Sequence, residues 1–489
     1  MATCVRCGRE LPGFSFGEAG NLCPSCKQMT QSFQPQIPSP SSASVPAARP
    51  TVDQFPVTAA LLGINVLVFV AMVLQKPASL FHPDDLQLLK WGADYGPLSL
   101  GTQPWRILTS NYIHLEAAHI AFNMWALWQL GRVAERIFGR WVYFVIYTAT
   151  GISGSLLSLL HNPMGLSAGA SGAIFGIVGA LIAALYLGKL PFPKRVRDSL
   201  LKNLVWVAII NLGLGASIPG IDNAGHIGGL VMGLGLGAII GPHLMEEPTR
   251  RAFFNRLVLI AAAFFLVGFW YFVKQKRGYV ADIQKARQAM TVGHTDDVIR
   301  NLQSAVARDP DNLDALHMLG LAYMSKNDYP HAQNALERFS QIERNNVGVK
   351  YILGLTYAEQ HKYEDARRVY SELTEQQPNN TGAWTMLGAS LDGLNRDEDA
   401  VAAYNKALSL NPGNTEAYRE LGLAQAKLSR FQEAAVTLQK AAELEPKDGE
   451  IQKDLADVYT VMGNSAAAAE ATRRAQELSK PASPKPTTK

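Results

Sequence analysis

The sequence predicts an all-α protein, a bundle of membrane-crossing helices followed by a water-facing stack of helices. Three observations predict it. Seven apolar runs of near-spanning length fill the middle of the 489-residue chain. Glycines, alanines and prolines recur with a 34-residue period in the C-terminal part. These two parts have opposite solvent preferences, which the mean hydropathy of +0.01 averages away. A chain of this length holds three or four units, and a formal charge of +4 is too small to point to nucleic acid.

The first unit, residues 1–30, holds all four cysteines, Cys4, Cys7, Cys23 and Cys26. Two CxxC pairs fifteen residues apart place four thiolates around one zinc, in a unit too small to fold without the metal. Two redox pairs are the alternative, but a thioredoxin-like unit would not fit here. The polar, Cys-rich opening argues against a cleaved signal peptide. Residues 31–52 ("PQIPSPSSASVPAARP" within them) are a flexible Pro/Ser linker with no material for a core.

A membrane span needs about 20 mostly apolar residues. The runs 57–74, 115–131, 141–160, 171–188, 200–217, 224–241 and 257–273 predict seven, six in a core over 53–245 and a seventh within 246–278. Basic residues orient them. Arg132, Arg136 and Arg140 separate runs two and three, while Lys189, Lys194, Arg195, Arg197 and Lys202 separate four and five. Arg250, Arg251 and Arg256 follow run six, and the loop 161–170 has no charged residue. The positive-inside rule then places the N-terminus in the cytosol and the 75–113 loop outside. Seven crossings leave the C-terminal part outside; Lys274, Lys276 and Arg277 weigh against that last crossing.

In residues 279–478, Gly320, Gly354, Gly388 and Gly422 are each 34 residues apart, as are Ala332, Ala366, Ala400 and Ala434. Pro378, Pro412 and Pro446 keep the same period. This pattern resembles the tetratricopeptide repeat (TPR), in about six units. Stacked helix pairs of this kind present a concave surface to peptides or protein partners. Residues 479–489 are expected to be a disordered tail.

Several polar residues interrupt the apolar runs. His119 and Asn123 share one helical face in run two, with His114 just before it. Ser171 opens run four among glycines, "GASG", and His226 opens run six in "NAGHIGGLVMG". A serine hydroxyl becomes a nucleophile when a base lies within hydrogen-bond reach, and His226 is the histidine of the later runs able to supply one. Glycines beside both residues allow that approach. Free N–H groups at the start of run four, with His119 and Asn123, suit an oxyanion. Phe175, one turn after Ser171, can plate the imidazole, and no carboxylate inside the runs is placed for a triad. Singly, each residue has a bland reading: Ser171 and the glycines as helix packing, Asn123 as interhelical glue, His226 as a lumen-facing residue. All of these would have to hold at once, at three helix starts near one membrane face.

With those residues in view, 57–241 resembles the rhomboid intramembrane serine proteases, through "GASG" (169–172), "GHIGGLVMG" (225–233), "HLEAAHIAFN" (114–123), "WR" (105–106) and "GRVAERIFG" (131–139). The resemblance implies Ser171 as nucleophile, His226 as base, and His119 and Asn123 on the oxyanion side. It further implies structural roles for Trp105, Arg106, Glu135, Gly169, Gly172, Phe175, Gly229 and Gly233. Two departures stand out: Gly225 where alanine is usual, and Phe175 where some members carry tyrosine. The expected protein is a multi-pass cell-membrane endopeptidase that needs no cofactor for catalysis and cuts transmembrane protein substrates, its repeats holding substrate or partner proteins. The alternative is a catalytically silent membrane scaffold or chaperone. A transporter would carry inverted repeats and mid-span charges, which are not seen.

Overall fold

The computed structural model describes residue 10 and residues 54–82 and 84–479. Cys4, Cys7, Cys23 and Cys26, the linker and the C-terminal tail lie outside the described residues. Residues 1–56 and 57–489 are separate units, and the second carries the fold described here.

Seven long helices come first: α1 (Pro56–Gln75), α2 (Ala117–Phe138), α3 (Arg140–His161), α4 (Ser171–Leu187), α5 (Lys194–Ser217), α6 (Asn223–Ile240) and α7 (Pro248–Arg277). Each coincides with one apolar run, but α1, α3, α5, α6 prolonged to His243, and α7 are the five that are long and apolar enough to cross a membrane. The other two differ for separate reasons. At 17 residues, α4 spans about 25 Å at 1.5 Å per residue, and it is buried on nearly every side, so neighbours rather than lipid surround it. The last turns of α2 carry Arg132, Glu135 and Arg136, which lower its apolar average.

Contacts at the helix ends set an alternating up-and-down course. The Glu135 carboxylate accepts the Val57 and Thr58 N–H groups (3.1 and 2.9 Å) and the Thr58 hydroxyl (2.7 Å), tying the start of α1 to the end of α2. The C-terminal ends of α4 and α6 meet, a Cβ on Gly188 falling 3.1 Å from the Gly241 carbonyl. At the other end, the Arg277 Nε donates to the Leu160 carbonyl (2.8 Å), joining the end of α7 to the end of α3. There too lie the starts of α4 and α6 and the segment 76–116, with short helices Asp85–Trp91, Gly96–Ser99 and Arg106–Thr109. The outward faces of α5 and α7 are apolar and exposed, with Trp206, Ile209, Ile210, Phe264 and Phe265, as surfaces meeting lipid must be.

A solenoid of six helix pairs follows, from α8 (Tyr279–Thr291) and α9 (Thr295–Arg308) to the last pair, Gly449–Val461 and Ser465–Leu478. Its periodicity reaches atomic detail. Gly293, Asn327, His361, Asn395, Ser429 and Gly463 all have left-handed φ, between 57° and 76°, and each turns the first helix of a pair into the second. Asn312, Asn346, Asn380 and Asn414 cap the first helices, each side-chain oxygen accepting the N–H three residues on. Gly320, Gly354, Gly388 and Gly422 let the second helix press in Leu336, Tyr370, Tyr404 and Leu438, whose atoms a Cβ would meet at 2.5–2.7 Å. Those four side chains are fully buried, and burial of a large apolar side chain contributes about 1.5–3 kcal/mol.

The first solenoid helix rests on the bundle. Val280 and Tyr279 join Leu100, Ile107, Leu156, Leu159 and Val273 in one apolar cluster. Ala281 faces Gly101, where a Cβ would lie 3.2 Å from its own. Among the described residues no strand forms; Asp94 and Ser167 make an isolated antiparallel bridge.

Candidate active site

The close contact of α4 with α6 builds the site. A Cβ on Gly229 would lie 1.9 Å from the Gly172 carbonyl oxygen, and one on Gly233 2.0 Å from that of Gly176. Only glycine permits backbones this near, the small-residue device of helices packed in lipid. Two polar side chains then meet at the top of the pair. The Ser171 Oγ and His226 Nε2 are 2.9 Å apart, from the first residue of α4 and the first turn of α6. Phe175 stacks on the imidazole, ring centroids 4.4 Å apart and planes 15° off parallel. Among the described residues His226 Nδ1 has no hydrogen-bond partner.

His119 and Asn123, from α2, line the same cavity of about 830 Å³ as Ser171 and His226. The Asn123 amide donates one hydrogen to the His119 carbonyl (3.1 Å) and keeps a second donor. The His119 ring lies over Gly169, where a Cβ would fall 2.7 Å from Cε1. Gly169 also adopts φ +135°, a conformation that favours glycine. Its N–H donates to the Ser110 carbonyl at 2.9 Å. His114 is fully buried, accepts the Ala170 N–H at 3.5 Å and meets His119 edge-on. The free N–H groups at the start of α4 and the positive end of its dipole lie beside Ser171.

Trp105, Arg106 and Glu135 stand away from the dyad. Arg106 is buried and donates to the Leu89 and Ala93 carbonyls (2.6 and 3.0 Å) and to Gln103 Oε1 (2.7 Å), folding the segment 89–106 around itself. The Trp105 ring covers that guanidinium at 4.8 Å and presses on Gly92. Glu135 holds the helix ends at the far side of the bundle.

Sequence reasoning did not single out Asp222, Ser167 or Asp94. Asp222 caps α6, a role signalled by an Asp just before an apolar helix. Its second partner, Ser167, is 55 residues away and carries no local signal.

Residues 101–243 match the rhomboid domain family. Residues 351–415 and 419–484 match the tetratricopeptide repeat, and 296–373 match the family of anaphase-promoting complex, cyclosome, subunit 3. The chain is 36% identical over 257 residues to rhomboid protease GluP of Bacillus subtilis (strain 168), covering 51% of this chain and 48% of that one. It is 35% identical over 167 residues to RHOMBOID-like protein 4 of Arabidopsis thaliana, covering 34% and 42%. The chain thus spans about half the length of the curated relatives it matches. The crystal structure of MamA aligns with 33% of this chain and 95% of its own at 27% identity, with a TM-score of 0.32. This chain therefore carries a rhomboid domain followed by tetratricopeptide repeats, in an integral membrane protein.

Proposed function

We propose that this chain is an intramembrane serine endopeptidase that cuts transmembrane protein substrates with a Ser171–His226 dyad. The observation that carries the reading is the 2.9 Å contact of Ser171 Oγ with His226 Nε2 beside a cavity. His226 takes the hydroxyl proton as Ser171 attacks the scissile carbonyl. The tetrahedral oxyanion is met by backbone N–H groups at the start of α4, by the spare Asn123 donor and by His119. His226 then protonates the leaving amine, and water admitted through the cavity hydrolyses the acyl-enzyme. The Phe175 plate, in place of a third residue, keeps the imidazole turned toward Ser171.

The solenoid holds substrate segments or partner proteins on the active-site side of the membrane. The packing of α8 on Leu100 and Gly101, in the segment above the active site, supports this placement. The four N-terminal cysteines hold one structural zinc; metal analysis of the full chain should find one equivalent, lost with Cys4→Ser, and no zinc in the parent chain would sink that assignment.

A fluorophosphonate probe tests the chemistry. It should label Ser171, and Ser171→Ala should lose both the label and cleavage of a single-span reporter substrate. Cleavage by Ser171→Ala at the parent rate would overturn the proposal and leave the "GASG" stretch as helix packing.

A further inference from the structure

We propose that Asp222 is a positioning residue of the dyad, clamping the helix that bears His226 to the loop that delivers Ser171. The inference rests on the Ser171–His226 reading and concerns what holds that pair in register.

Both oxygens of the Asp222 carboxylate are in use, and neither reaches the imidazole. Oδ1 accepts the Gly225 N–H at 2.8 Å, capping the first turn of α6. Oδ2 accepts the Ser167 hydroxyl at 2.6 Å, across to the loop before α4. The Asp222 carbonyl also accepts the His226 N–H at 3.2 Å. One residue thus grips the turn carrying the base and the strand of chain four residues before the nucleophile. A helix cap alone needs a single oxygen; the second bond makes this a tie between two elements.

The loop side of the tie is itself anchored. Ser167 exchanges both backbone hydrogen bonds with Asp94 (2.9 and 3.0 Å). Two residues on, Gly169 is held by the Ser110 carbonyl. Ser171 is therefore referenced to the segment above the site, and His226 to the same segment through Asp222. Because His226 Nδ1 meets no partner among the described residues, none of their side chains holds the base by hydrogen bonding, as the acid of a triad does. Besides the Phe175 plate, its position is set by the first turn of α6, which Asp222 fixes. The nearest carboxylate in sequence thus grips the turn that bears the base through that turn's backbone.

The test compares Asp222→Ala, Asp222→Asn, Ser167→Ala and the double alanine variant in the full chain. The rate of fluorophosphonate labelling of Ser171 and the kcat and KM for the reporter substrate are measured for each. Asp222→Ala should lower kcat and labelling by about tenfold or more with KM within about twofold. Ser167→Ala keeps the helix cap and folds, and should still lower kcat several-fold. The double variant should be no worse than Asp222→Ala, since both remove the same bond. Asp222→Asn can cap with its oxygen and donate its amide to Ser167, so it should recover most of the lost rate. Parent kcat in Ser167→Ala, full additivity in the double variant, or an Asp222→Asn as slow as Asp222→Ala would each overturn the clamp. Failure of the parent chain to label at Ser171 would instead remove the dyad reading beneath it.

Discussion

A carboxyl sealed from water at the edge of an active site announces itself through pH. Asp94 is wholly buried, and burial pushes its carboxyl up to about 7, opposed by the Ser99 hydroxyl, reinforced by the charge of Asp222 and opposed again by Arg106. The folded chain therefore keeps a proton that the unfolded chain, near the ordinary value of 3.8, has released. Between those values unfolding releases a proton, so stability falls as pH rises from about 4 to about 7 and is level above. Asp94→Asn mimics the protonated group and should remove that slope, giving a clearly higher Tm than the parent at pH 8, a smaller gain at pH 5 and a similar Tm below about pH 4. Parallel Tm profiles for the two chains would show that Asp94 is not the titrating group. At this scale legibility followed chemistry. His226, His119 and Asn123 stood out because strongly polar side chains are costly inside apolar runs, and Ser171 because it opens a run among glycines, in company with them. Asp94, Ser167 and Asp222 were not, because their roles depend on partners 55 to 73 residues away and each looks ordinary in a loop.

Among elements, the apolar runs located all seven long helices but not their limits. The run 257–273 became a 30-residue helix, Pro248–Arg277, because a helix continues past the apolar belt wherever its ends find partners. The glycines of α6 show the same division. Their number suggested close packing, yet only geometry separates those that carry it. Gly229 and Gly233 face the backbone of α4, whereas Gly235 faces open space. Gly233→Ala should drive α4 and α6 apart, cost about 1–3 kcal/mol as overpacked cores do, and lower Ser171 labelling by about 10²-fold as the dyad separates. Gly235→Ala should leave labelling unchanged and stabilise α6 by up to about 1 kcal/mol. Equal behaviour of the two variants, read by labelling rate and Tm, would show that the α4–α6 approach does not set the dyad distance. In the repeats, the 34-residue period was plain from Gly and Ala, but the left-handed turns at Asn327, His361, Asn395 and Ser429 passed unnoticed, since four different positions hold three residue types.

For the whole molecule, two opposing charge signals bear on the side of the membrane that holds the solenoid. Loop charges, taken with seven crossings as the sequence suggests, would put it with the active site, and Lys274, Lys276 and Arg277 weigh against that. The structure supplies uses for two of these cations. The Arg277 guanidinium binds the Leu160 carbonyl at the end of α3, and the Lys274 ammonium lies over the Trp270 ring at 4.9 Å. Arg277 thus serves a joint between α7 and the bundle and Lys274 packs on its own helix, so their charge is a weaker guide to sidedness than that of unengaged loop residues. The joint continues into α8, whose Arg308 partner on α9 pairs with Asp282 at 3.1 Å. The solenoid thus begins as a braced extension of the bundle end where Ser171 and His226 open. We expect an alkaline phosphatase fused after Ser479 to be active, and one fused at Lys189, between α4 and α5, to be inactive. A green fluorescent protein should report the reverse at each position. A fluorescent, phosphatase-silent fusion at Ser479, with Lys189 still cytosolic, would mean α7 does not cross. The packing of α8 on Leu100 and Gly101 would then be impossible in the membrane, and presentation of substrates by the repeats would fall with it.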